Sequence, residues 1–176
     1  MYLEILVLAH LASAPAHGYE IKKRVERTLG SRITLNNNVL YPALRRFEES
    51  GAVVSEMVPQ QSSPPHRVFT LTEAGFDVLR AMVEDFPPEL AAVEEEFTVR
   101  YAYLGMLDPE VRLQILDRRR VALAAGRAHL LRMLAATEAH GENQPYAARI
   151  VEFQLAQRDT ELAWLDDQRR WEEEQR

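Results

Sequence analysis

The sequence points to a mainly α-helical chain with one small β hairpin, and three observations lead there. Leu40, Leu44 and Phe47 fall at i, i+4 and i+7, an apolar stripe of the kind that packs a short helix on its neighbours. Only one stretch reads as paired strands: a β-branched run over 52–58, a Pro/Gln/Ser loop over 59–66, and the alternating run 67–71. That hairpin follows the last of three short helical patterns, and two long helical patterns come later. Three helices and a wing make a winged helix-turn-helix. The expected organisation is a winged helix-turn-helix domain over 1–86 and an α-helical dimerisation domain, with room for an effector, over 87–176. The break between them is marked by Pro87-Pro88.

Residues 3–13 are apolar almost all round, so the first helix is expected to be buried beneath the hairpin and the other helices. Pro15 and Gly18 separate it from a second helix over about 17–29, whose inward stripe is Ile21, Val25 and Leu29. The third helix lies within 35–51 and contains Pro42, which has no N–H to give to the turn before it. With Asn38 as N-cap, Pro42 falls at the edge of the first turn; with a start at Asn36, a kink follows. Thr72 is a suitable N-cap for a fourth helix reaching about Asp85, with Phe76, Leu79, Met82, Val83 and Phe86 inward.

The outer face of the third helix carries Asn37, Asn38, Tyr41 and Arg45, spaced to point one way over two turns. Amides suit adenine, guanidinium suits guanine, and a phenol meets backbone or base, so this set fits a reader of the major groove. A solvated polar face is the alternative for the helix taken alone, and the wing behind it favours the reader. Lys22 and Lys23 belong to a helix that would cross the sugar-phosphate backbone. Arg46 extends the basic face. Tyr19 fits either a phosphate contact or a packing role, and Tyr41 either reads DNA or packs under the wing. His66 and Arg67 stand at the return edge of the wing, where an arginine can enter a minor groove or pin a phosphate. His17 reads as a capping or packing residue.

Charge supports the same partner, double-stranded operator DNA. The chain carries −6 overall, yet His17 to Arg46 holds seven basic residues against two acidic ones, a local charge of +5. From Phe86 onward the balance is −5. Positive charge thus gathers where contact with a duplex is expected, and the acidity elsewhere limits non-specific binding.

HGYEIKKRVE at 17–26, LYPALRRFEESG at 40–51 and RVFTLTEAG at 67–75 resemble, in order and spacing, the DNA-binding domain of PadR-family transcriptional regulators. LGMLDPEVRLQIL at 104–116 and ELAWLD at 161–166 resemble the longer, virulence-activator-type α-helical domain of one branch of that family. The resemblance covers nearly the whole chain. It implies a dimeric repressor or activator that responds to a small molecule, and it makes Tyr41-Pro42 a tolerated presentation of the tyrosine.

In the second half, a helix is expected over about 89–106 with Leu90, Val93, Phe97, Tyr101 and Leu104 inward and Glu94-Glu95-Glu96 on a solvated side. Asp108-Pro109-Glu110 starts a long helix reaching about Glu138. There Leu116, Leu123 and Leu130 recur at seven, a heptad-like seam interrupted by Arg120 and Arg127. After a turn over 141–145, the last helix, about 146–173, has two apolar edges: Ile150, Phe153, Trp164 and Trp171 on one, Val151, Leu155, Leu162 and Leu165 on the other. Two edges exceed what one antiparallel partner covers, so a second copy of the chain is expected. The dimerisation set is Leu116, Leu123, Leu130, Phe153, Trp164 and Trp171. Tyr101, Tyr103, Trp164 and Trp171 fit either core packing or a pocket for a small aromatic or phenolic effector, and Arg120 and Arg127 pair either with a carboxylate ligand or with acids across the interface.

Several classes are not expected. There is no cysteine, which removes disulfides and thiolate metal sites and fits a reducing cytoplasm. The five histidines lack ligand spacing, so no metal or cofactor is expected. No apolar run approaches the ~20 residues that span a bilayer, so no membrane partner is expected. No catalytic triad, phosphate loop or paired-carboxylate pocket is visible, and an enzyme is not expected. The alternative to a DNA-binding regulator is a helical protein–protein interaction module that uses the winged-helix fold without DNA.

Overall fold

The computed structural model describes residues 1–28, 35–59, 65–139 and 145–175. Leu29, Arg32, the wing tip over 60–64 and the turn over 141–144 lie outside the described residues. The chain divides into two compact units: Met1–Asp85 with Thr98–Met106, and Phe86–Phe97 with Leu107–Arg176.

The first unit has the order α1 (Tyr2–Ser13), β1 (Ala16–His17), α2 (Gly18–Thr28), α3 (Asn37–Glu49), β2 (Val53–Val58), β3 (His66–Leu71) and α4 (Glu73–Glu84). α1 is buried along Ile5–Ala9 and packs on α2, α4 and β3. Its apolar circumference requires that cover on all sides. Ile21 and Val25 of α2 and Leu40, Ala43, Leu44 and Phe47 of α3 close the same core. β2 and β3 pair antiparallel from Val53 opposite Leu71 to Val58 opposite His66. The hairpin gains a third strand that the sequence does not announce: β1 pairs with β3, Ala16 opposite Phe69 and His17 opposite Val68. Two residues are too few to show alternation, so only tertiary pairing reveals them.

The junction into α4 is built on Thr72. Its Oγ1 accepts from Gly75 N–H at 3.0 Å and lies 2.8 Å from the Gly51 carbonyl, to which it donates. Gly75 has no room for a side chain, because a methyl group there would collide with the Ala52 carbonyl oxygen and the Leu71 side chain. Phe76 departs from the expected inward stripe and is half exposed, while Leu79 and Val83 are buried. It sits one turn after the cap, its N–H donating to the Thr72 carbonyl at 3.1 Å.

The expected single helix over 89–106 is three pieces: α5 (Pro88–Ala91), α6 (Glu94–Ala102) and a 3-10 turn at Leu104–Met106. Glu94 and Glu95 are exposed as expected, but Glu96 is buried. Val93, expected inward, is partly exposed at the break between α5 and α6. Arg100 is fully buried and donates from Nε and Nη2 to the carbonyl of Asp85, the residue that ends α4, at 3.2 and 3.0 Å. A cation at a helix C-terminus is favourably placed against the partial negative charge there.

In the second unit, α7 (Pro109–Ala139) and α8 (Pro145–Glu174) form an antiparallel hairpin. Leu130, Val151 and Leu155 form one buried cluster with Leu134 against it. Arg119, almost wholly buried, donates Nε to Glu161 at 2.7 Å and Nη1 to the Ala91 carbonyl at 2.9 Å, with its guanidinium 5.2 Å from the Phe97 ring centre. Phe97 also meets Trp164 edge to face at 6.3 Å. No helix among the described residues is long and apolar enough to cross a membrane.

Candidate nucleic-acid interface

The polar face of α3 is set by its cap. Asn36 is the N-cap, its side-chain oxygen accepting from Asn38 N–H at 2.9 Å, so the helix starts at Asn37. Pro42 therefore sits in the second turn, not at the edge of the first. It leaves the Asn38 carbonyl without the usual donor four residues on. The helix nevertheless runs on to Glu49, anchored by Leu40, Ala43, Leu44 and Phe47 beneath it. Asn37, Asn38, Tyr41 and Arg45 are exposed, and with Pro42 and Arg46 they line a shallow concavity of about 570 Å³.

Tyr41 has a second contact that spacing along α3 does not show. Its ring lies on Gly18 at the start of α2: a methyl group at Gly18 would stand 2.7 Å from Oη and 3.0 Å from Cε1. The ring remains 48% exposed. Tyr41 thus packs against α2 and presents an edge to solvent at the same time. Glycine at position 18 is what permits the approach.

Around this face, α2 supplies cations and rings. Tyr19 is exposed, and the Lys23 Nζ lies 5.5 Å from its ring centre. Lys22 pairs with Glu26 at 3.8 Å, and Arg24 with Glu20 at 2.5 Å. His17 Nδ1 accepts from Glu20 N–H at 3.3 Å, and its ring meets that of His66 edge to face at 5.0 Å. The root of the wing is in this way tied to the start of α2. Among the described residues, no group of three His, Asp or Glu side chains is placed to hold a metal ion.

Two of the arginines assigned to DNA contact are held by acids of the same fold. Arg46 is paired with Glu4 of α1. Arg67 of β3 donates Nη2 to Glu48 of α3 at 2.8 Å and Nε to Ser55 of β2 at 2.6 Å, while the Ser55 hydroxyl donates to Glu48 at 2.5 Å. The guanidinium also lies 5.5 Å from the Phe69 ring centre. Lys23, Arg27 and Arg45 are outside ion pairs among the described residues. Counting charge along the sequence does not reveal this division, because Glu4 and Glu48 lie 42 and 19 residues from their partners.

The residues assigned to dimerisation divide as well. Leu116, Leu123 and Leu130 are buried within the chain's own packing, whereas Phe153, Trp164 and Trp171 remain partly exposed on α8. Arg120 and Arg127, the interruptions of the heptad seam, pair with Asp166 and Asp159 of α8. Tyr101 and Tyr103 belong to the first unit, Trp164 and Trp171 to the second.

Residues 7–81 match the model of the Transcriptional regulator PadR-like family. Similar solved structures include a PadR family transcription regulator from hypervirulent Clostridium difficile R20291, 30% identical over 46% of this chain and 82% of that one, with a TM-score of 0.40. Another is Bacillus subtilis PadR in complex with operator DNA, 18% identical over 94% of each chain, TM-score 0.45. A third, from Streptococcus mutans UA159, is 22% identical over 94% of this chain and 96% of that one, TM-score 0.43. No curated protein matches the sequence.

Proposed function

The chain belongs to the PadR-like family of transcriptional regulators, and on that premise we propose that it is a homodimeric, sequence-specific DNA-binding repressor released by a small-molecule effector. The observation that carries the DNA reading is the exposed set Asn37, Asn38, Tyr41 and Arg45 around one concavity on α3, with a wing folded behind it. Amide and guanidinium groups on such a helix read base edges in the major groove, while Lys23 and Arg27 on α2 reach phosphates. Half-sites one helical turn apart call for two copies of the reader, which a homodimer supplies.

The dimer is supported by the α8 edge that α7 leaves open, where Ile150, Phe153 and Trp171 are each about half exposed. Repression and its relief by a small molecule rest on the family resemblance; the aromatic or phenolic character of that molecule rests on Trp164 and Trp171, side chains suited to stack on such a ring.

Binding to random-sequence duplex, measured by fluorescence anisotropy from 50 to 200 mM salt, tests the DNA reading. Affinity is expected to fall steeply across that range as condensed counterions compete for the phosphates. Affinity that does not change with salt would favour the protein-interaction module instead.

A further inference from the structure

We propose that Glu48 is a specificity-setting residue: its carboxylate holds the Arg67 guanidinium in an internal ion pair and so withholds that charge from non-target DNA. The inference rests on the DNA-binding reading of α3 and the wing. It starts from an asymmetry in the geometry. The Arg67 side chain is 56% exposed, while the Glu48 side chain behind it is only 20% exposed. Glu48 is also held in place, since it takes the Ser55 hydroxyl as well as Arg67 Nη2. The cation therefore faces outward over a carboxylate that cannot swing away with it.

Arg67 uses two of its donor positions inward, Nε on Ser55 and Nη2 on Glu48. The Nη1 edge stays available to a backbone phosphate. A guanidinium has five N–H donors in a planar fork, so its orientation can be fixed by one edge while another binds. What Glu48 subtracts is net charge, and non-specific affinity is governed by the charge a protein brings to the phosphates. Arg46 repeats the arrangement independently, more than half exposed over the less exposed Glu4. Arg45, on the same helix and outside ion pairs among the described residues, is the contrasting case.

The probe is a random-sequence duplex, the protein the full chain, and the readout the slope of affinity against salt. Glu48→Gln keeps an oxygen acceptor for Ser55 and Arg67 but removes the charge. It should tighten binding about threefold to tenfold at low salt and lose about threefold more affinity than wild type between 50 and 200 mM, the mark of roughly one added phosphate contact. Arg45→Gln, which removes a cation outside ion pairs among the described residues, should weaken random-duplex binding severalfold. In the Arg67→Gln background, Glu48→Gln should leave the salt slope as it was, because no cation remains there to gain a phosphate contact. A Glu48→Gln slope equal to wild type, or a rise in slope from Glu48→Gln as large without Arg67 as with it, overturns the assignment while leaving DNA binding intact. Where Glu48→Gln does not fold, Glu48→Ala, which also removes the charge, decides by the same slope. A wild type with no salt-dependent duplex binding overturns the DNA-binding reading, and this assignment with it.

Discussion

Tyr41 meets two demands with one ring. Spacing along α3 places it beside Asn37, Asn38 and Arg45, and that much is legible in the sequence because helical periodicity is local. Its contact with Gly18 is not legible, since no periodicity links side chains on different elements. Tyr41→Ala should weaken operator binding by about 1–3 kcal/mol. Gly18→Ala should also weaken it, because the new methyl group would stand 2.7 Å from Tyr41 Oη and force the ring aside. The two losses should not add: with alanine at 41, a methyl group at 18 displaces nothing, so a double-mutant cycle should show coupling. Gel-shift titration of the four proteins on one promoter fragment measures it. Equal losses from Gly18→Ala with and without Tyr41 would mean that Gly18 acts on the backbone of α2 and not on the reader. The charged residues teach a related lesson. Sequence assigns Arg46 and Arg67 to DNA contact but does not show their acids, which reach them only through folding.

Among the elements, those announced by local chemistry were legible and those made by tertiary pairing were not. Thr72 could be read as a helix start because a capping hydroxyl acts on an N–H three residues away. β1 could not, and neither could the break between α5 and α6, where Ala92-Val93 carries neither proline nor glycine. Buried Glu96 and Arg100 explain why the 89–106 pattern misled: charged residues at inward positions disguise which face of α6 is covered. The α4 junction offers the cleanest stability test. Thr72→Ala removes the cap on Gly75 N–H and the bond to the Gly51 carbonyl, and should destabilise the chain by about 1–2 kcal/mol. Thr72→Ser retains the hydroxyl and should recover most of that loss. Urea midpoints at a common slope give both values; a serine variant as weak as alanine would assign the effect to the threonine methyl group.

At the scale of the molecule, the heptad seam shows what periodicity can and cannot specify. Leu116, Leu123 and Leu130 recur at seven because α7 meets another helix along that line, but the repeat is silent on whose helix it is. The structure supplies the chain's own α8, and it turns the two arginine interruptions into cross-hairpin ion pairs with Asp166 and Asp159. Covering one edge of α8 uses Val151, Leu155 and Leu165, which are buried, and leaves Phe153 57% and Trp171 51% exposed. Two large aromatic side chains half in water on one helix are better explained by a partner than by solvent, since such rings bury most of their area in cores or interfaces. The proposed dimer then predicts a separation of effects. Phe153→Asp places a charge on the open edge and should convert the protein to monomer in sedimentation at micromolar concentration, with an unchanged far-UV spectrum. Leu123→Ala, at a buried position facing inward, should instead lower unfolding stability by about 2–5 kcal/mol. A monomeric Phe153→Asp protein should still bind random duplex with the wild-type salt slope per protomer, because its α3 face is untouched, yet lose the tighter binding that two linked half-sites give. If Phe153→Asp sediments as wild type, the open edge of α8 is not where two copies meet, and the aromatic pair must be explained by something other than self-association.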